Sequence, residues 1–295
     1  MKLHPIDTGY FKLDGGAMFG VVPKSIWNKL NPADDNNMCN WALRCLLIED
    51  GNKLVLIDTG IGNKQDDKFF SHYYLHGDNT LTSSLAKLGF TPSDITDVVQ
   101  THLHFDHCGG SVERKDGKLV TAFPNATYWS NEAHWDWAVH PNDREKASFL
   151  KENILPIRES GQLKMVSVPD TGSQLQPSTA PLPEQPSEIL PGLSFRFVNG
   201  HTRAMMLPQI RYKDRTIVYM ADLLPSVAHI PLPYVMAYDM FPLVSLGEKK
   251  SFLPEAAENQ YILFFEHDPT TECCTVQEID GRIKVAKTGK LEELV

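Results

Sequence analysis

Residues Asp97-Val98-Val99-Gln100-Thr101 read as a short apolar strand that runs directly into His102-Leu103-His104-Phe105-Asp106-His107. Four metal-type side chains in six residues constrain this chain more than any other feature. Holding two metal ions is the role that calls for such a density of imidazole and carboxylate behind a strand. His102 and His104 are two apart, so they share a face if the strand continues. They can still converge if the chain turns into a loop there. Asp106 and His107 are adjacent and cannot easily serve the same point as the first pair. They more naturally bind a second ion nearby. Gly109-Gly110 is expected to let the chain turn sharply into the next element.

Two ions with open positions for water need roughly three further ligands. The sequence offers three at matching places. His201 follows Phe195-Arg196-Phe197-Val198-Asn199-Gly200, Asp222 follows Ile217-Val218-Tyr219-Met220-Ala221, and His267 follows Tyr261-Ile262-Leu263-Phe264-Phe265-Glu266. Each lies where an apolar strand stops, and ligands at strand ends are held by a rigid scaffold. Taken singly, a lone histidine is more often a surface or satisfied core residue, and an aspartate after a strand more often forms a turn. Their shared placement sets these three apart.

The surrounding pattern supplies the strands. Trp41 to Ile48 and Lys53 to Ile57 flank Asp50-Gly51, a tight hairpin signal. A helix is expected from Leu81 to Leu88, closed by Gly89, with a helical turn at Pro92 to Ile95. Residues 131 to 159 read as helical and rich in Trp and charge. Thr171 to Pro191 is a Pro/Ser/Gln-rich connector. Strands return at Ser194–Val198, Thr216–Ala221 and Tyr261–Phe265, and a final hairpin turns at Asp280-Gly281. This order predicts an α/β (α+β) chain with two mixed β-sheets packed together and helices outside. Ligands lie on both sides of the connector, so one domain over residues 1–295 is expected, with a helical and proline-rich insertion at roughly 131–191.

Composition excludes several classes. The 295 residues are 42% apolar, an ordinary globular value. No apolar run approaches the ~20 residues that span a bilayer, and Met1 to Asp7 lacks an apolar signal core. A cytoplasmic protein without a membrane partner is expected. The net charge of −9 disfavours nucleic acid as a partner or substrate. The five cysteines are odd in number and form no CxxC, so reduced, buried thiols are expected.

The hexapeptide has the form HxHxDH. With Asp58-Thr59-Gly60, Gly200-His201-Thr202, Asp222 and His267 in the same order along the chain, it resembles the metallo-β-lactamase superfamily. The resemblance implies an αββα sandwich. It also implies that His102, His104 and His201 hold one ion, that Asp106, His107 and His267 hold the other, and that Asp222 bridges them. Asp58 would orient ligand histidines from behind. Zinc is the default for such a set, and iron, manganese or cobalt could occupy it. The redox branch of the superfamily typically has glutamate where this chain has His104. Segments Asp14 to Lys24 and Ala221 to Pro225 look like the quorum-quenching lactonase branch, which hydrolyses N-acyl-homoserine lactones. That branch implies a small-molecule substrate and attack by a metal-bridging hydroxide on the lactone carbonyl, with Asp106 and Asp222 as catalytic residues. Asp106 would carry a proton to the leaving alkoxide. An organophosphate triesterase, a glyoxalase II-type thioesterase or a β-lactamase could use the same site. A non-catalytic metal-binding module would not need the full ligand set.

The sequence departs from the family pattern in two places. Gly-His-Thr often continues Pro-Gly-His; here it continues Arg203-Ala204-Met205. Some lactonases place a tyrosine three residues after the bridging aspartate; here Pro225 stands there. Tyr234, Tyr238 and His229 are candidate substitutes, with plain packing as the simpler account. Met18, Phe19 and Trp27, with Trp135 and Trp137, are candidates for an apolar substrate wall, and core packing explains them equally well. Cys108 is expected to be a small buried residue behind the cluster, not a nucleophile. The oligomeric state is open, with a homodimer as one candidate.

Overall fold

The computed structural model describes residues 1–169 and 175–295. Two compact units divide the chain: Met1–Tyr10 with Leu43–Val168, and Phe11–Ala42 with Pro169–Val295.

The first unit is built on a mixed sheet. Its strand order is Lys2–Asp14, Met38–Asp50, Lys53–Ile57, Asp97–Val99, Thr127–Asn131, Leu163–Val166, the first two strands continuing into the other unit along the chain. Met38–Asp50 and Lys53–Ile57 pair antiparallel across the expected Asp-Gly turn, where Gly51 takes φ +59°. The next three junctions are parallel, joining Lys53–Ile57 to Asp97–Val99, Thr127–Asn131 and Leu163–Val166 in turn. Parallel strands are covered on both faces, so they read as continuous apolar runs; Asp97, Val98 and Val99 are all buried. Helix Leu81–Lys87 starts on a reciprocal Thr80–Ser83 cap and ends before Gly89, which takes φ +84°. Helices Glu132–Val139 and Lys151–Glu159 lie in the stretch expected to be helical, but residues 140–150 between them are turns and irregular chain. Trp135, Phe149, Ile154 and Ile157 join Leu47, Leu56, Val98 and Tyr128 in one core, so Trp135 is a packing residue.

The second unit carries a seven-stranded sheet in the order Arg282–Gly289, Cys273–Ile279, Ile262–Phe264, Arg215–Tyr219, Met205–Tyr212, Leu193–Val198, Glu184–Pro186. Its one parallel junction among the described residues, Ile217–Tyr219 with Ile262–Phe264, requires a crossover, and helix Pro242–Glu258 provides it. The hairpin at Asp280-Gly281 is present as expected. Strands Lys2–Asp14 and Met205–Tyr212 were not legible in the sequence. The connector expected at Thr171 to Pro191 falls partly outside the described residues. From Leu175 onward it is irregular except for Glu184–Pro186.

All five cysteines are free and buried. No helix among the described residues is long and apolar enough to cross a membrane.

Candidate metal centre

In the first unit the strand ends at Val99, and His102 and His104 lie in the loop that follows. Convergence therefore comes from the loop and not from strand alternation. The ring centroids of His102 and His104 are 4.5 Å apart, and those of His102 and His107 are 3.9 Å apart. Asp106 and His107 sit in the helical turn Phe105–Cys108, with His107 Nε2 3.8 Å from Asp106 Oδ2.

Carboxylates hold these rings from behind. Asp58 stands at the end of strand Lys53–Ile57 with φ +57°. Its carboxylate accepts from Thr101 N (2.7 Å) and Thr101 Oγ1 (2.6 Å) and lies 3.2 Å from His107 Nδ1. Thr101 Oγ1 is in turn 3.1 Å from His102 Nδ1. Since the Thr101 hydroxyl proton goes to Asp58, His102 Nδ1–H donates to Thr101, which makes Nε2 the atom that could bind a metal. Nothing in the sequence marks Glu145 for a similar role. Its buried carboxylate lies 3.0 Å from His104 Nε2 and accepts from Trp137 Nε1 at 2.6 Å. His104 therefore presents Nδ1, whereas His102 and His107 present Nε2. Trp137 belongs to this support.

Gly109 and Gly110 have a different purpose from the sharp turn expected of them. Neither takes a positive φ. A Cβ on Gly109 would collide with Ile61 O, and one on Gly110 with Thr59 O. These glycines let the ligand turn lie directly against the Asp58–Ile61 loop. Cys108, fully buried, has its thiol pushed up to about 12 by burial, which disqualifies it as a nucleophile.

In the second unit three strands deliver their ends to one carboxylate. Asp222 lies in a tight turn after Arg215–Tyr219. Its Oδ2 is 3.1 Å from His201 Nε2, and its Oδ1 is 3.3 Å from His267 Nε2. Each oxygen thus faces a different imidazole. The far nitrogens are again fixed: His201 Nδ1 lies 2.9 Å from Asp239 Oδ1, and His267 Nδ1 lies 2.8 Å from Ala42 O. Burial disfavours a charged His201, but Asp222 and Asp239 outweigh it and raise its pKa to about 10. The surroundings of His201 therefore stabilise positive charge. Ahead of His201, Asn199 N and Gly200 N donate to the Glu248 carboxylate at 2.6 and 3.1 Å, and a Cβ on Gly200 would collide with Ser245. At the first departure from the family pattern, Ala204 takes φ +54° and its N–H donates to Asn199 Oδ1 at 3.0 Å. At the second, Pro225 contributes only its carbonyl, which accepts from His267 N at 3.2 Å.

His102, His104, Asp106 and His107 in the first unit, and His201, Asp222 and His267 in the second, are all buried and of metal-binding type. The family model of the metallo-β-lactamase superfamily matches residues 44–267. The chain belongs to the metallo-β-lactamase superfamily. Among curated relatives, the N-acyl homoserine lactonase of Bacillus thuringiensis is 26% identical over 165 residues, covering 52% of this chain and 56% of that protein. The match thus spans little more than half the length of that relative. Agrobacterium fabrum AttM, also an N-acyl homoserine lactonase, is 34% identical over 80 residues, 27% of each chain. Among solved structures, a probable metal-dependent hydrolase from Staphylococcus aureus superposes with a TM-score of 0.84 at 28% identity, over 97% of this chain and 95% of that one. The dizinc quorum-quenching lactonase AidC, solved with a product, gives 0.75 at 21% over 98% and 95%, a likeness of fold. The mixed α/β architecture expected from the sequence is that of the superfamily. Its donor set of imidazoles and carboxylates suits zinc and neighbouring divalent metals.

The candidates for a substrate wall form a buried stack. Phe19 lies between Trp27 (5.3 Å, 9°) and His229 (4.8 Å, 5°), with Tyr234 edge-on at 6.2 Å. His229 Nε2 is 2.9 Å from Met18 O, and Nδ1 is 2.8 Å from Ser226 Oγ, so both ring nitrogens are engaged. Met18, Phe19, Trp27 and His229 are buried, Tyr234 is half-buried and Tyr238 is exposed.

Proposed function

We propose that this chain is a di-metal hydrolase that opens lactone rings, with N-acyl-homoserine lactones as its substrates. The observation that carries the di-metal reading is Asp222, whose two oxygens face His201 and His267 separately. A carboxylate so placed serves two ions at once. In this reading the units act as one domain. His102, His104 and His201 would hold one zinc ion, Asp106, His107 and His267 would hold the other, and Asp222 would serve both. The lactonase names among the relatives support the substrate class.

Two bound divalent ions would supply Lewis acidity and lower the pKa of water toward neutrality. The protein's part is orientation and proton handling. Asp58, Glu145 and Asp239 hold His107, His104 and His201 in the tautomers that present the metal-facing nitrogen. Water adds to the ring carbonyl, the ring C–O bond breaks, and a hydroxy acid leaves. Asp106 takes the water's proton on a carboxylate oxygen and returns it to the departing ring oxygen. The burial of the ligands keeps bulk water from competing. A cytoplasmic location belongs to the same proposal, supported by five free, buried thiols.

The test is turnover of purified protein on a panel of homoserine lactones, paraoxon, nitrocefin and S-lactoylglutathione, with metal content measured in parallel. Lactone opening with two ions per chain is expected. Two bound ions without lactone turnover would overturn the substrate assignment, and turnover of another panel member would replace it.

A further inference from the structure

The segment from Ser226 to Phe241 runs past His201 and the residue that follows His267. Val227 N donates to Asp268 Oδ2 at 3.0 Å, next to His267. Asp239 supports His201, and Met240 N and Phe241 N donate to His201 O and Gly200 O at 3.0 and 2.8 Å. The middle of this segment is His229-Ile230-Pro231-Leu232-Pro233-Tyr234. Two prolines remove two N–H donors, so apart from Tyr234 N, which donates to Pro231 O at 3.0 Å, this stretch offers its own carbonyls few partners and they must find them elsewhere.

Lys249 supplies them. It is buried on helix Pro242–Glu258. Its Nζ donates to the carbonyls of His229 (2.7 Å), Tyr234 (2.9 Å), Pro231 (3.0 Å) and Leu232 (3.4 Å). An ammonium has three N–H donors, so four acceptors converge on three protons and the stretch wraps around one side-chain end. The preceding residue, Glu248, holds Asn199 and Gly200. Adjacent residues of one helix thus grip the backbone before His201 and the centre of the segment that follows Asp222. Burying a lysine is costly unless its donors are satisfied, and nothing in the proposed hydrolytic step uses this one.

We propose that Lys249 is a positioning residue for substrate binding: it fixes His229–Tyr234 as a wall beside His201, Asp222 and His267, and takes no part in the hydrolytic step. The wall role rests on the hydrolase reading above; the fixing of the segment does not.

Lys249→Met keeps the stem and removes the donors. With two ions still bound, KM on the best lactone should rise about tenfold or more while kcat stays within about twofold. Hydrogen exchange should quicken in peptides covering 226–241 and stay unchanged in those covering 193–198. If Lys249→Met does not fold, Lys249→Gln, which keeps two N–H donors, carries the same measurements with smaller effects in the same direction. Unchanged exchange would overturn the fixing role. Quickened exchange with an unchanged KM, or a fall confined to kcat, would overturn the wall role. If the wild-type protein opens no lactone, the hydrolase reading fails by itself, and the exchange comparison still decides whether Lys249 holds the segment.

Discussion

His104 meets Glu145 at 3.0 Å between Nε2 and Oε1, across 41 residues of chain. The pair determines which ring nitrogen His104 presents to a metal. A carboxylate behind a ligand histidine fixes the tautomer and raises the basicity of the ligand atom. Glu145→Gln keeps the shape and can still accept from Trp137, but it loses the charge. Metal affinity should fall by about tenfold to a hundredfold, measured by competition with a chromophoric chelator. An affinity equal to wild type would reduce Glu145 to a packing role.

Asp222 places one carboxylate oxygen 3.1 Å from His201 Nε2 and the other 3.3 Å from His267 Nε2. Asp222→Ala should bind fewer than two ions per chain by elemental analysis and lose most of its hydrolytic rate. A variant that keeps two ions and stays active would show that the bridging role belongs elsewhere.

His229 bears on acid stability. Burial, the largest influence, lowers its pKa from 6.5 to about 3. The unfolded chain therefore takes up a proton at this residue that the folded chain refuses. The stability it contributes is present in full above pH 6.5 and is lost as the pH falls toward 3. Across that window this one group should steepen the fall by up to about 1.4 kcal/mol per pH unit. His229→Gln, neutral throughout, should be less stable at pH 7 because it loses the stack on Phe19, yet show a shallower decline between pH 6.5 and 4. Urea denaturation at a series of pH values checks this; parallel curves would assign the titration to another group.

The candidate ligand residues stand out in the sequence because they follow apolar runs as abrupt polar breaks, a contrast that survives in one dimension. The hairpins at Asp50-Gly51 and Asp280-Gly281 were legible because their turns require backbone conformations that glycine favours. Of the residues that support the ligands, Asp58 is expected from the family resemblance and stands 3.2 Å from His107 Nδ1, whereas Glu145 and Asp239 carry no such mark. Glu145 lies in Asn142-Asp143-Arg144-Glu145-Lys146, which reads as a solvated charged loop, and Asp239 follows an exposed tyrosine. His104, His107 and His201 each rest on a carboxylate at the far nitrogen, but nothing local says which of 37 acidic residues provides it. Strand Lys2–Asp14 escapes a sequence reading because its buried positions are too few and too irregular to form an alternating pattern.

The sequence by itself determined the donor chemistry, the order of the ligands and the family, because these depend on residue type and spacing. Tertiary structure alone decided which nitrogen of each histidine meets a hydrogen-bond acceptor and that Asp222 divides its oxygens between two histidines. It also decided that Lys249, one lysine among several charged residues of its helix, is buried among four carbonyls. Those outcomes depend on acceptors brought together from distant parts of the chain, and hydrogen-bond partners of that kind leave no periodic trace along it.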